Sequence, residues 1–180
     1  MFAAPIRHGL ELRLLEERHA APLFRLVEQE RVHLSPWLAW VGATHSNEDT
    51  LAFIQSALEQ FASNEGFAAG IWSHHRLAGT IGTHRINWLN RKVELGYWLA
   101  HEFQGQGIMT DSCRAVVNYL FKELDLNRVE IHCSAENVKS AAIPLRLGFQ
   151  LDGTMRKSHL LHNRYHDLLV FGMLKSDWAL

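Results

Sequence analysis

Residues 67–99 hold three strand-like runs in immediate succession: FAAGIWSH (67–74), RLAGTIGTHRI (76–86) and KVELGYWL (92–99). The polar turns between them, at His74-His75 and at Asn87 to Arg91, are far shorter than a parallel crossover requires. The runs therefore predict an antiparallel meander, and the flanking segments must supply the layers that cover it. On the N-terminal side, LELRLL (10–15) alternates as a strand does. Ala20, Leu23, Phe24 and Val27 then recur at the spacing of one helix face, and Pro36 breaks that helix. Ser46 with Asp49 three residues later predicts a capping box, and Leu51, Ile54, Leu58 and Phe61 form the stripe of a second helix ending near Asn64 and Gly66.

On the C-terminal side, Cys113, Val116, Val117, Leu120 and Phe121 share one helical face. RVEIHC (128–133) is a strand with Val129, Ile131 and Cys133 pointing one way, and Asn137 to Leu147 is a shorter helix closed by Gly148. Two closing strands, QLDGTMRK and YHDLLVFGML, flank a turn near His162-Asn163-Arg164. The expected order is β-αα-βββ-α-β-α-ββ: a mixed α/β chain with a mostly antiparallel central sheet. No repeat, low-complexity tract or Pro/Gly/Ser linker divides it, so residues 1–180 are expected to form a single domain.

Eighteen Lys+Arg against nineteen Asp+Glu give a formal charge of −1, so no global basic field recruits nucleic acid. The start, MFAAPIRHGLELRL, lacks the apolar core of a signal peptide, and no apolar run is long enough to span a bilayer; a cytoplasmic protein is expected. Cys113 and Cys133 lack a C-x-x-C spacing and are expected to be reduced core residues.

Between the third meander strand and the next helix lies EFQGQGIMTDSC (102–113), with two glycines one residue apart. The first four N–H groups of a helix have no partner within it, and glycines let neighbouring N–H groups converge, so the segment is a candidate cradle for a phosphate or pyrophosphate. It is not a nucleoside-triphosphatase loop, because Ile108, Met109 and Thr110 follow Gly107 where lysine would be required. A dinucleotide fingerprint is a poor fit too, since Thr110 stands where its third glycine belongs. A tight turn without a ligand is the plainer reading. Asp111 suits the helix dipole but would repel a phosphate unless it points away.

VELGYWL, then QGQGIM, a helix, a strand and ENVKSAAIPLRLGF together resemble the Gcn5-related N-acetyltransferases (GNAT) over nearly the whole chain. LSPWLAW, VELGYWLAHEFQGQGIMT, Asn137 with Ser140, RLGF and YHDLLVFGML resemble the ribosomal-protein serine or alanine N-terminal acetyltransferases. The resemblance implies acetyl-CoA as cosubstrate, its pyrophosphate held by the backbone of Gln104, Gly105, Gln106, Gly107, Ile108, Met109 and Thr110. Its pantetheine arm would lie between the strand ending at Leu99 and the strand 128–133, which part where the first carries a bulge, with Asn137 as a partner. Met109 departs from the family's usual Gly or Ala and would narrow the turn unless its side chain points away.

The implied reaction is direct attack of an amine on the thioester, with a backbone N–H near Trp98 or Leu99 polarising the carbonyl. Ser140 is implied as proton donor to the thiolate, although a serine there can equally bond a helix carbonyl. His159 stands where serine-acetylating relatives can carry a glutamate, and Glu94 is its rival as general base; alone, Glu94 could simply pair with Arg91, Lys92 or a backbone group. Trp37 and Trp40 could line the acceptor groove or pack in the core. His159, His162 and His166 fall on a hairpin rather than one helix face, so no metal site is expected. The acceptor expected is a protein N-terminal α-amine, ribosomal by resemblance. Small amines such as polyamines or antibiotics, and a non-catalytic acyl-CoA sensor, are the alternatives, and a homodimer is implied as well.

Overall fold

The computed structural model of the chain describes residues 3–178. The meander is present: β3 (Ala68–Ser73), β4 (Arg76–Thr83) and β5 (Lys92–Leu99) pair antiparallel in sequence order. His74 and His75 form the first connection with both φ positive (46° and 65°), the backbone whose twist matches paired strands. β2 (Leu10–Leu14) adds to β3, and a strand absent from the expected order, β1 (Ala3–Arg7), adds outside β2. Its sequence AAPIR carries a proline and is mostly exposed, so it has edge-strand chemistry and no alternation to betray it. The observed order is thus ββ-αα-βββ-α-β-α-ββ.

α1 (Ala20–Leu34) stops just before Ser35-Pro36, and α2 (Asn47–Ala62) starts on the expected capping box. Ser46 Oγ accepts from the Asp49 N–H at 3.2 Å while Asp49 Oδ2 accepts from the Ser46 N–H at 2.9 Å. The buried stripe of α2 runs through Thr50, Ile54 and Ala57, with Leu51 and Leu58 half-buried and Phe61 exposed. Ile54 is the centre of the stripe as the spacing predicts, and Leu51 and Leu58 pack against the core at its edge, while the smaller Thr50 and Ala57 are buried beside them and Phe61 falls outside.

α3 (Ile108–Lys122) buries Cys113, Val116, Val117, Leu120 and Phe121 as its periodicity requires. β6 (Arg128–Ser134), α4 (Val138–Arg146), β7 (Gln150–Leu161) and β8 (Arg164–Leu174) complete an eight-stranded sheet of order β1-β2-β3-β4-β5-β6-β8-β7. His162 and Asn163, both at positive φ, make the two-residue turn between β7 and β8.

Alternation along β5 assigns the layers. Tyr97 lies beside Cys113 of α3, whereas Trp98 meets Trp40 of the α1–α2 connection with ring centroids 6.2 Å apart. The two helix pairs therefore cover opposite faces. β5 and β6 are the one parallel pair among the described residues, and they pair only at Lys92, Val93 and Glu94 with Arg128, Val129 and Glu130. Beyond that seam they part. The expected bulge is not the cause, because β5 keeps unbroken register with β4 from Leu95 to Leu99.

Candidate active site

A cleft of about 1970 Å³ runs along the parting of β5 and β6 and takes in the turn before α3. Every site residue expected from the sequence lines it except Gln106, which is exposed on the turn. Gly105 and Gly107 have φ of 74° and 75°, a region costly for a residue with Cβ, and Gly107 is the N-cap of α3. None of the N–H groups from Gly105 to Thr110 donates to a backbone carbonyl among the described residues; Asp111 is the first to do so, to Gly107. A row of free donors at a helix start is an anion-binding arrangement.

Three cations surround this turn. Arg7 of β1 donates to the Gln106 carbonyl at 3.0 Å and to Asp111 Oδ2 at 2.8 Å, which ties the Asp111 charge to a guanidinium. Arg146 of α4 donates to Thr110 Oγ1 at 2.9 Å, and Lys139 Nζ donates to Gln104 Oε1 at 3.0 Å. Met109 is 7% exposed, so its side chain joins the core rather than the turn's outer surface. His33 completes the rim, 2.7 Å from the Gln104 amide nitrogen; burial lowers its pKa despite Glu30 nearby, which leaves a ring lone pair to accept from that amide.

On the α4 side of the parting, Asn137 caps the helix through Oδ1, which accepts from the Ser140 N–H at 3.1 Å. Its amide N–H groups are what it has left to offer. Tyr97 Oη donates to the Ser140 carbonyl at 3.1 Å and fixes this first turn of α4 against β5. Burial raises the Cys133 thiol pKa, and a hydrogen bond with the Ser140 side chain partly opposes that rise. Cys113, fully enclosed, is pushed up further by burial; both cysteines are free thiols, as expected.

On the face that carries Trp98, Glu94 does not pair with Arg91, which bonds Asp125, nor with Lys92, which bonds Glu130. Instead His132 Nδ1 lies 3.2 Å from Glu94 Oε2, and His132 Nε2 lies 3.2 Å from Glu130 Oε2. Burial pushes the Glu130 pKa up, but the hydrogen bond from Arg128 and the charges of Lys92 and Arg128 outweigh it and hold the carboxyl below its usual range. Arg128 continues to Asp152 across Gly172, where a Cβ would run into both side chains. His132 and Glu130 escape a reading of the sequence because β6 alternation places them on the polar face without saying which residue of β5 stands opposite.

His159 faces the cleft from β7, cross-strand from His166 and next to a register shift between Met155 and His159. Its Nδ1 is enclosed without a hydrogen-bond partner. Among the described residues, no group of three or more His, Cys, Asp or Glu side chains is placed to hold a metal ion. Trp37 and Trp40 border the cleft from the α1–α2 connection, Trp40 being 40% exposed. Arg31 pins that connection by donating to the Val41 and Thr44 carbonyls, and His162 at the β7–β8 turn contacts the Ser35 carbonyl at 2.8 Å. The two segments together form one rim.

Residues 9–150 match the acetyltransferase (GNAT) domain family. The chain belongs to that family. YdaF of Bacillus subtilis (strain 168), whose ribosomal N-acetyltransferase assignment is provisional, is 37% identical over 180 residues, covering 99% of this chain and 98% of YdaF. The ribosomal-protein-serine acetyltransferase of Escherichia coli (strain K12) is 30% identical over 169 residues, covering 94% of each chain. Among solved structures, RimL, a ribosomal L7/L12 alpha-N-protein acetyltransferase in complex with coenzyme A, superposes with a TM-score of 0.93 at 29% identity, covering 96% of this chain and 98% of RimL. In that complex the coenzyme is joined by a disulfide to a RimL cysteine. The eight-stranded, mostly antiparallel sheet of this acetyltransferase is the architecture of the GNAT fold.

Proposed function

We propose that this acetyltransferase uses acetyl-CoA to acetylate the N-terminal α-amine of a protein, a ribosomal protein beginning with serine or alanine. The observation that carries the reading is the parting of β5 and β6, whose open end meets the turn of free N–H groups at Gly105 to Thr110. A pantetheine arm, with two amides, suits unpaired strand edges, and a pyrophosphate suits the turn. Arg7, Arg146 and Lys139 add positive charge at that end. Residues Trp98 and Leu99 supply the wall where the thioester would lie, and Asn137 offers amide donors to the arm.

In the reaction, one proton leaves the acceptor's ammonium, the amine nitrogen attacks the thioester carbonyl, and an N–C bond forms as the C–S bond breaks. A second proton leaves the nitrogen and reaches the thiolate sulfur, giving the amide and free CoA thiol. Ser140 is the proton donor to sulfur in this reading, since it lines the cleft on the first turn of α4. Glu94 and His159 are the two candidates for the first proton. Trp37 and Trp40 form the acceptor side.

The test is CoA release by the purified protein with acetyl-CoA, comparing a short peptide with a free N-terminal serine, the same peptide with a blocked N-terminus, and a panel of small amines. Release with the free peptide alone is the expected result. Release with the amines alone would move the acceptor to small molecules, and acetyl-CoA binding without any release would remove the enzymatic reading of the site.

A further inference from the structure

Of the residues from Gln104 to Thr110, Gln106 alone stays out of the cleft. Its side chain folds back, Nε2 donating to the Glu102 carbonyl at 3.0 Å. Its own carbonyl accepts from Arg7 Nη2 at 3.0 Å. A trans peptide is planar, with C=O and N–H on opposite sides. Holding the Gln106 carbonyl on the outer side of the turn therefore holds the Gly107 N–H on the inner side, where it donates to no backbone carbonyl among the described residues. With glycine at both 105 and 107, sterics leave that peptide plane free to rotate, so a bond must fix it.

Arg7 is itself held. Its Nε donates to Asp111 Oδ2 at 2.8 Å, so one planar guanidinium joins the carbonyl of the turn to the first turn of α3. It arrives from β1, whose register shifts between Pro5 and Arg7; an irregularity of that kind re-aims a side chain. Asp111 lines the cleft beside the turn, with Oδ2 3.8 Å from where a Cβ on Gly107 would stand. Left bare, its carboxylate would repel a phosphate seated on the turn, and the guanidinium offsets that charge. The same pairing offsets much of the charge of Arg7, so orientation is the larger of its two contributions.

We propose that Arg7, reaching from β1 to the Gln106 carbonyl and to Asp111, is a positioning residue for the cosubstrate: it locks the Gln106–Gly107 peptide with its N–H aimed at the pyrophosphate. The inference rests on the acetyl-CoA reading above. It also gives β1, the strand at the edge of the sheet, a part in the site.

The experiment measures Kd of the purified protein for acetyl-CoA by calorimetry, and for S-acetylpantetheine, which carries the thioester and both amides but no phosphate, by NMR titration. Arg7→Gln is expected to weaken acetyl-CoA binding about tenfold, the scale of a hydrogen bond to a charged group, and to leave S-acetylpantetheine binding unchanged. Arg7→Lys keeps the charge but not the fork that spans carbonyl and carboxylate, so it should stay about fivefold weak. Asp111→Asn loosens the guanidinium and should weaken acetyl-CoA binding about twofold, although it removes an anion from beside the phosphate. Combined with Arg7→Gln it should restore nothing. Full recovery in Arg7→Lys, or in the double variant, would make Arg7 a counter-charge only. Tighter binding in Asp111→Asn would make it a direct phosphate ligand, and equal losses for both ligands would make its role one of general stability; each of these outcomes overturns the proposal. A parent protein that binds no acetyl-CoA would overturn the cosubstrate reading itself, whereas a parent that binds it as tightly as Arg7→Gln does would overturn this inference alone.

Discussion

His19 and His33 are the residues whose protonation the fold opposes. Burial lowers the pKa of each below 6.5, and each ring has a nitrogen lone pair in use: His19 Nδ1 accepts from the Glu16 N–H at 3.0 Å, and His33 Nε2 meets the Gln104 amide. Below pH 6.5 the unfolded chain binds protons that the folded chain refuses, so their contribution to stability is complete above that value and is lost as pH falls through it. Thermal melts from about pH 7 to about pH 5 should show Tm falling, with a shallower slope in His33→Gln. Gly107→Ala places a Cβ on a backbone at φ 75°, so it should cost about 1 kcal/mol by chemical denaturation and weaken acetyl-CoA binding by calorimetry. The glycines were legible in the sequence because theirs is the residue type that takes a positive φ without steric cost. Arg7, Arg146 and Lys139 were not, since surface cations look alike until a fold brings strands and helices from distant parts of the chain to one turn.

Among the elements, the strands of the meander approach unusually closely at Gly79, where an added Cβ would lie 2.2 Å from the Trp98 carbonyl oxygen and 2.9 Å from the Leu99 Cα. Those atoms are backbone, and they belong to the cleft wall. Gly79→Ala should therefore destabilise the protein by about 1–3 kcal/mol and lower kcat, because β5 must move where the thioester is proposed to lie. Denaturant titration and steady-state kinetics check both effects; an unchanged kcat would place the thioester elsewhere. Alternation and helical spacing gave most elements, including the α3 face and the α2 capping box. They did not reveal β1, whose AAPIR sequence has no periodicity, or that the small residues Thr50 and Ala57 join Ile54 in the buried stripe of α2. Nor does one strand's pattern disclose its partner's register, and so the Glu94–His132–Glu130 alignment waited for the structure.

At the scale of the whole molecule, a ligand that spans β5 and β6 binds the folded chain alone, so saturating acetyl-CoA should raise stability by about 2.7 kcal/mol at a hundredfold excess over Kd. Melts with and without the cosubstrate measure this, and the gain should shrink in Gly107→Ala. The sheet itself has an uneven grip. Strands β1 to β5 pair continuously, as do β6, β8 and β7, but the two sets share only the three-residue seam at Lys92 to Glu94. In mechanical terms that seam is the fulcrum of a pair of tongs. From Glu94 to Leu99 the arm is about 17 Å long at strand rise, so a rotation of about 5° moves its tip by about 1.5 Å. Hardly any motion reaches Glu94 at the fulcrum, while the widest swing falls at the far end, where the turn before α3 stands.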